Sequence, residues 1–239
     1  MAYAINYISG ISGGKNVSVL GWSQGNSQIR WATKYWPSTR NITSDHISIS
    51  ADYRGTIIFQ GLAELLITSP PSLVQQSPNS NFTATLLSNG GDSAYVPTTS
   101  LYSAFFDEVV EPQQGTAASA YVNDAHHVGV LNAEVQAVCG IGSAAGTFET
   151  HESMLYNALS YALAVDALTH PGPADLSRVD LASVCSMITA PGLSLEDVLE
   201  TEATIPIAAA AILVYPDRVV YPNETAISPY AKASPVPVA

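Results

Sequence analysis

A serine between two glycines is the first group in this sequence whose surroundings favour chemistry. Ser23 is the centre of a Gly-x-Ser-x-Gly pentad that runs from Gly21 to Gly25. A serine hydroxyl is a weak nucleophile, so it needs a general base within hydrogen-bond reach and a carboxylate that orients this base. A pentad also arises by chance in a serine-rich chain, and its meaning therefore depends on the elements that hold it.

The residues around the pentad predict a strand, a tight turn and a helix. Apolar residues alternate from Val17 to Gly21, the pattern of a short buried strand, and helical spacing then continues until Pro37. The two glycines of the pentad are expected to remove side chains where the backbone is tight. Ser23 then lies exposed at the carboxyl end of its strand, with Gln24 N–H directed at a developing oxyanion.

Candidate partners of Ser23 follow it in the order serine, acid, histidine that such a hydrolase site requires. Asp107 closes a predicted strand at residues 101–108, and His151 follows a second predicted strand at residues 135–140. Glu108, next to Asp107, is the alternative acid. The other histidines compete with His151 but fit this order or geometry less well: His46, His126, His127 and His170.

Metal and cofactor sites are not predicted. His126 and His127 are adjacent, so in an extended segment their side chains point to opposite faces, and we interpret them as a surface loop. The sequence contains no His-x-x-x-His, no Cys-x-x-Cys and no glycine-rich phosphate loop. We therefore expect no metal ion and no cofactor.

Strands that alternate with helices predict an α/β fold with a mostly parallel central sheet flanked by helices. A further strand is predicted at residues 46–53, and a helix runs from just after His151 to Pro171. Ser194 with Asp197 forms a capping-box pattern that opens another helical region, which Pro206 interrupts.

One domain is expected from the length of 239 residues, spanning 1–239. The region 215–239 carries five prolines and is predicted to be an extended C-terminal coil.

Composition and charge exclude two kinds of partner. Hydrophobic residues make up 47% of the chain, but the chain contains no run of ~18 apolar residues, so no transmembrane segment is expected. The net charge of −12 repels a phosphate backbone, so nucleic acid is not an expected partner. Oligomeric state stays open.

Secretion is expected from two features. Asn-x-Ser/Thr acceptors and an even number of cysteines, two, predict a secreted, extracellular glycoprotein with one disulfide bond. The acceptors are Asn16, Asn41, Asn81 and Asn223, and the cysteines are Cys139 and Cys185. The first ten residues lack a basic and a long apolar region, so a signal peptide was removed or the chain starts late.

A string of motifs resembles the family of fungal α/β-hydrolase lipases that includes lipase B of Candida antarctica. The resemblance covers about Ala2 to Lys232, and its motifs fall in the family's order: WSQG (22–25), DYRGT (52–56), VPTTSLYSA (96–104), the acidic pair at 107–108, QAVCG (136–140), IAAAAI (207–212) and PYA (229–231). It implies a secreted enzyme that cleaves carboxylic esters, including triacylglycerols, through an acyl-enzyme, with a lipid–water interface as a possible partner.

The resemblance also implies roles for individual residues. Ser23 is the expected nucleophile, His151 the base and then the acid, Asp107 the orienting carboxylate and Gln24 an oxyanion donor. Cys139 and Cys185 resemble one disulfide of the family. Six residues are expected to line the substrate pocket: Trp22 on the alcohol side, Asp52 and Gln76 as a polar pair on the acyl side, and Leu73, Val109 and Ile212 as its apolar wall.

Two departures from the family pattern leave alternatives open. In the family, three strands and a threonine-bearing oxyanion loop precede the nucleophile strand, whereas only 22 residues precede Ser23 here, which predicts an N-terminally truncated fold. The stretch GIGSAAG lengthens the segment before His151. The alternatives to a lipase are an inactive or weakly active lipase-like glycoprotein fragment without the second oxyanion donor, and a cutinase-like or feruloyl esterase.

Overall fold

A four-stranded parallel sheet organises the computed structural model, which describes residues 1–232. Its strand order is β1-β2-β4-β5, and every neighbouring pair is parallel. A separate antiparallel pair joins β3 to β6. The strands are β1 (Val17–Trp22), β2 (Thr43–Ile49), β3 (Thr68–Ser69), β4 (Thr98–Tyr102), β5 (Val130–Glu134) and β6 (Val219–Val220).

Helices flank this sheet and link β1 to β2 and β2 to β4, whereas a loop with one 3₁₀ turn at Gly115–Ala117 links β4 to β5. They are α1 (Ala2–Ile11), α2 (Gln24–Tyr35), α3 (Ile57–Leu66), α4 (Pro71–Gln75), α5 (Asn81–Leu87), α6 (Val135–Cys139), α7 (Ala158–Thr169), α8 (Leu181–Val184), α9 (Leu195–Glu202), α10 (Thr204–Val214) and α11 (Pro229–Lys232). Within residues 1–232, no helix is both long and apolar enough to cross a membrane.

The core lies on both faces of the sheet, because successive side chains of a strand point to opposite faces. Leu101 of β4 packs with Ile47 of β2 and with Leu159 and Leu163 of α7 on one face. Tyr102, the next residue, belongs to the cluster on the other face. The predicted α/β architecture is therefore confirmed, and the sheet has the buried faces that a parallel sheet needs.

Strand β1 lies at an edge of the sheet, and the prediction of a buried strand is wrong for most of its side chains. Among the described strands, β1 pairs only with β2. Gly21 is its single buried residue, and Leu20 is 56% exposed. The alternation of apolar residues identified the strand but could not show that one of its sides is unpaired among the described strands.

Two strand predictions need correction. Residues 135–140 were predicted as a strand, but Val135–Cys139 form α6 and the strand is the preceding Val130–Glu134. A short apolar run does not distinguish a strand from a helix by periodicity alone. The predicted strand 101–108 ends at Tyr102, because the chain turns away from the sheet after that residue. Asp107 therefore lies in the loop that follows β4.

The other predicted boundaries shift by a few residues. Strand β2 ends at Ile49 rather than near residue 53, since Ser50 adopts a positive φ of 46°. The helix predicted to begin just after His151 begins at Ala158, after a 3₁₀ turn at Ser153–Leu155.

The C-terminal predictions hold in part. The capping box of Ser194 and Asp197 opens α9. The break lies at Ala203, while Pro206 sits in the first turn of α10, where a missing N–H costs little. The region predicted as coil contains β6 and α11 as far as residue 232, and residues 233–239 lie outside the described part of the chain.

Candidate active site

The backbone of Ser23 turns sharply between β1 and α2. Its φ is 55° and its ψ is −133°, a conformation that residues other than glycine adopt only under strain. Ser23 N–H donates to Ile49 O at 2.9 Å, which ties the turn to the end of β2. The sequence prediction of a strand, a tight turn and a helix around Ser23 is confirmed.

The two glycines of the pentad have different functions. A Cβ on Gly21 would lie 2.4 Å from Asn26 Oδ1 and 2.8 Å from Ile29 Cδ1, so no larger residue fits without displacing α2. A Cβ on Gly25 would meet nothing within 4 Å. Only Gly21 is thus required by close packing, and the expectation that both glycines relieve crowding is wrong for Gly25.

Asn26 holds the turn from the buried side of α2. Its Nδ2 donates to Ser23 O at 3.1 Å and to Ile49 O at 2.9 Å, and its Oδ1 lies 3.1 Å from His46 Nε2. Burial, with a smaller contribution from Arg30, lowers the pKa of His46 to about 3, so His46 is a neutral partner of Asn26. Sequence analysis missed Asn26, because nothing in the pattern distinguishes it from an exposed helical asparagine.

Asp107 and His151 form a buried pair. His151 Nδ1 lies 3.0 Å from each carboxylate oxygen of Asp107, and each residue is 1% exposed. Asp107 Oδ1 also accepts hydrogen bonds from the backbone N–H groups of Val109 and Val110, at 3.1 and 2.7 Å. These donors fix the carboxylate, which in turn fixes the imidazole orientation.

The alternative acid, Glu108, contacts the backbone of the same histidine instead of its ring. Glu108 Oε2 accepts a hydrogen bond from His151 N–H at 3.0 Å. Asp107 therefore orients the imidazole, whereas Glu108 holds the turn that carries it.

Trp22 places the histidine beside the serine turn. Its indole Nε1 donates to His151 O at 3.1 Å, and the two ring centroids lie 5.1 Å apart. Ser50 Oγ donates to the same carbonyl at 3.4 Å. Ser23 and His151 are both in the described part of the chain, and no hydrogen bond joins their side chains. Such a bond often tightens only when substrate binds.

The predicted acyl-side polar pair is present, but its members bond to different partners. Asp52 is buried and accepts from Ser27 Oγ at 2.8 Å. Burial raises the pKa of Asp52, which favours its neutral form. Gln76 Nε2 donates to Ser72 O at 2.9 Å, and no hydrogen bond joins Asp52 to Gln76 among the described residues.

The three residues predicted to form the apolar wall lie in two different places. Leu73 is buried in a cluster against which Ile212 of α10 packs, as does Phe59 of α3. Val109 is 9% exposed and follows the Asp107 loop, where its carbonyl accepts from Thr56 Oγ1 at 2.8 Å. Thr56, which sequence analysis missed, also caps α3 and so links that helix to the Asp107 loop.

Two of the remaining histidines, His126 and His170, have side-chain partners of their own. His126 Nδ1 lies 2.7 Å from Ala94 O, and its ring stacks on Tyr95. His127 is exposed in the same loop, as predicted, and His170 pairs with Asp166 at 3.1 Å. His151 is therefore the histidine that the structure brings to Trp22 and Asp107.

Two further sequence predictions concern the covalent chemistry of the chain. Cys139 and Cys185 form a disulfide bond, as predicted, and this bond closes a segment that contains His151. The four predicted glycosylation acceptors are exposed, which is a requirement for modification: Asn16, Asn41, Asn81 and Asn223.

Known proteins resemble this chain over nearly its whole length, although no protein-family model matches it. Lipase B of Pseudozyma antarctica is 31% identical over 234 residues, which cover 96% of this chain and 65% of that protein. The crystal structure of Aspergillus fumigatus lipase B matches with a TM-score of 0.90 and 51% identity, covering 96% of this chain and 54% of that one. The chain thus spans between about half and two thirds of the length of these relatives. It is a homologue of these lipase B proteins, with the mostly parallel, helix-flanked sheet of the α/β-hydrolase fold.

Proposed function

We propose that this chain hydrolyses carboxylic esters of lipids, such as triacylglycerols, through a serine acyl-enzyme. The observation that carries the proposal is the buried contact of His151 Nδ1 with the Asp107 carboxylate beside the strained turn of Ser23. The homology to two lipase B proteins supports the same reaction class.

The residues supply each step of ester hydrolysis. Ser23 Oγ attacks the carbonyl carbon while His151 Nε2 takes its proton, and Asp107 stabilises the imidazolium that forms. The oxyanion accepts a hydrogen bond from Gln24 N–H, which lies in the first turn of α2 and has no acceptor within that helix. His151 then gives its proton to the leaving alcohol. Water, deprotonated by His151, attacks the acyl-enzyme, and His151 returns that proton to Ser23 Oγ as the acid is released.

An exposed apolar surface supports a lipid-like substrate and contact with a lipid–water interface. Phe59 and Leu62 of α3 and Ile212 of α10 pack against the same buried cluster, which includes Leu73. On the same two helices, large apolar side chains face solvent, and exposed apolar surface of this kind is a candidate for lipid contact. They include Ile57, Ile58 and Leu65 of α3 and Ile207, Leu213 and Val214 of α10.

Secretion as a glycoprotein forms part of the proposal. The disulfide bond and the four exposed acceptor asparagines support it, since both features are typical of extracellular proteins. Protein secreted by a eukaryotic host should lose mass when N-glycans are removed enzymatically. Unchanged mass would contradict glycosylation without affecting the proposed reaction.

Titration with a fluorophosphonate probe tests the proposed nucleophile. Intact mass and peptide mapping should show stoichiometric labelling at Ser23, and Ser23→Ala should remove it. The same pair of proteins should differ in hydrolysis of tributyrin. Folded protein that stays unlabelled would contradict the proposal.

The alternative is an inactive or weakly active lipase-like glycoprotein fragment without the second oxyanion donor, since loss of one such donor typically lowers turnover by about 10²- to 10³-fold. Slow labelling with turnover close to that of Ser23→Ala would support this alternative. A cutinase-like or feruloyl esterase is the third candidate. It predicts faster hydrolysis of a polyester or a feruloyl ester than of tributyrin.

A further inference from the structure

Carboxyl groups surround the turn that carries His151. Glu108 Oε2 accepts from His151 N–H at 3.0 Å, and Glu152 is the next residue along the chain. Glu152 is only 5% exposed. Its Oε2 is buried and, among the described residues, has no N–H or O–H donor. This carboxyl group interacts with the side chain of Glu108, whose Oε2 is held on the backbone of the residue just before Glu152.

Two carboxyl groups can share a hydrogen bond only when one of them is protonated. Burial first, and then the hydrogen bond with Glu108, raise the pKa of Glu152 to about 7. Neither Glu108 nor Glu152 forms an ion pair within residues 1–232. The contact between Glu108 and Glu152 is therefore favourable only while one of the two carboxyl groups is protonated.

The other titratable groups facing Glu152 do not offer a positive charge. Glu202 of α9 lies close enough to disfavour its ionisation, and accepts from Tyr156 OH at 2.6 Å. Glu149, on the same turn, accepts from Ser153 Oγ at 2.7 Å. A backbone hydrogen bond of Glu152 favours its ionised form, but burial and the carboxyl groups of Glu108 and Glu202 outweigh it, so deprotonation of Glu152 brings repulsion.

We propose that Glu108 and Glu152 are positioning residues that share one proton and thereby tie the turn of His151 to the loop of Asp107. The inference rests on the proposed function, in which His151 is the general base. Loss of the proton leaves two adjacent carboxylates, which separate and loosen the turn. Because neither carboxyl contacts the reacting atoms, kcat falls with rising pH while KM stays constant.

The pH dependence of tributyrin hydrolysis tests this pairing in the full chain. Wild type should lose about tenfold in kcat across an alkaline limb near pH 7, less than the ~10²-fold that a 1 Å misplacement can cost. Glu152→Gln should remove this limb, because its amide donates to Glu108 at every pH. Glu200→Gln, the same change at an exposed position of α9, should keep it. Superimposable kcat profiles for wild type and Glu152→Gln would overturn the proposal.

Stability measured against pH tests the shared proton without reference to activity. A raised pKa in the folded state favours folding below pH 4.5, and this contribution is lost as pH rises to about 7. Urea unfolding should therefore show wild type losing stability relative to Glu152→Gln between these values. Equal pH dependence would overturn the pairing, whereas absent fluorophosphonate labelling with the expected pH dependence would overturn only the proposed function.

Discussion

The serine half and the histidine half of the candidate site are built on different principles. Ser23 sits on an edge strand and is held by backbone conformation, by the space at Gly21 and by the neutral amide of Asn26. His151 is buried and is held by carboxylates. The nucleophile is thus positioned by local chain geometry and the base by long-range ionisable contacts. The two halves should respond differently to mutation, and with opposite sign to pH.

The largest effect is expected in the histidine half, from Asp107→Asn. Loss of the carboxylate removes the acceptor that orients His151 and stabilises its protonated form, so kcat should fall by about 10⁴-fold. Ester hydrolysis and the rate of fluorophosphonate labelling measure this. Asp217→Asn, at an exposed position, is the matched control. A loss below tenfold would show that Asp107 does not act on His151 during turnover.

Removal of the disulfide bond should destabilise the chain without a direct effect on the serine turn. Cys139 and Cys185 are 46 residues apart, so the bond contributes about 4 kcal/mol in the chain-entropy model. Urea unfolding of the Cys139→Ser/Cys185→Ser variant, compared with oxidised and reduced wild type, measures the difference. A change below about 1 kcal/mol would indicate that the bond constrains the unfolded chain little.

Alanine substitutions at the two pentad glycines test whether glycine is required at both positions of the motif or only where the backbone of the serine half is crowded. Gly21→Ala places a methyl group against Asn26 and Ile29 and should cost about 1–3 kcal/mol. Gly25→Ala meets open space within α2, so stability should stay constant or rise by up to about 1 kcal/mol. Thermal unfolding compares them. Equal destabilisation by the two substitutions would mean that the backbone conformation of the pentad requires glycine at both positions, whatever the space around them.

Local patterns predicted the serine half better than the histidine half. The Ser23 turn lies between a strand and a helix that the sequence itself identifies. The support of His151 depends on Glu108 and Glu152, which are 44 residues apart and carry no local signal. A short apolar run also gave a wrong prediction, since residues 135–139 have the pattern of a strand but form a helix. Asn26 and Thr56 were missed because their functions depend on contacts distant in sequence.

The smallest expected effect is a pH dependence of stability that has opposite signs in the serine half and the histidine half. His46, bonded to Asn26, is neutral because burial lowers its pKa from 6.5 to about 3. Its contribution to stability is complete above pH 6.5 and is lost as pH falls towards 3, since only the unfolded chain binds the proton in this range. Wild type should therefore lose about 1 kcal/mol relative to His46→Gln between pH 7 and pH 5.5. Glu152 has the opposite sign, so urea unfolding of His46→Gln, Glu152→Gln and the double variant resolves both slopes. Parallel curves for wild type and His46→Gln would show that His46 titrates alike in the folded and unfolded chain, and that the serine half is not sensitive to acid.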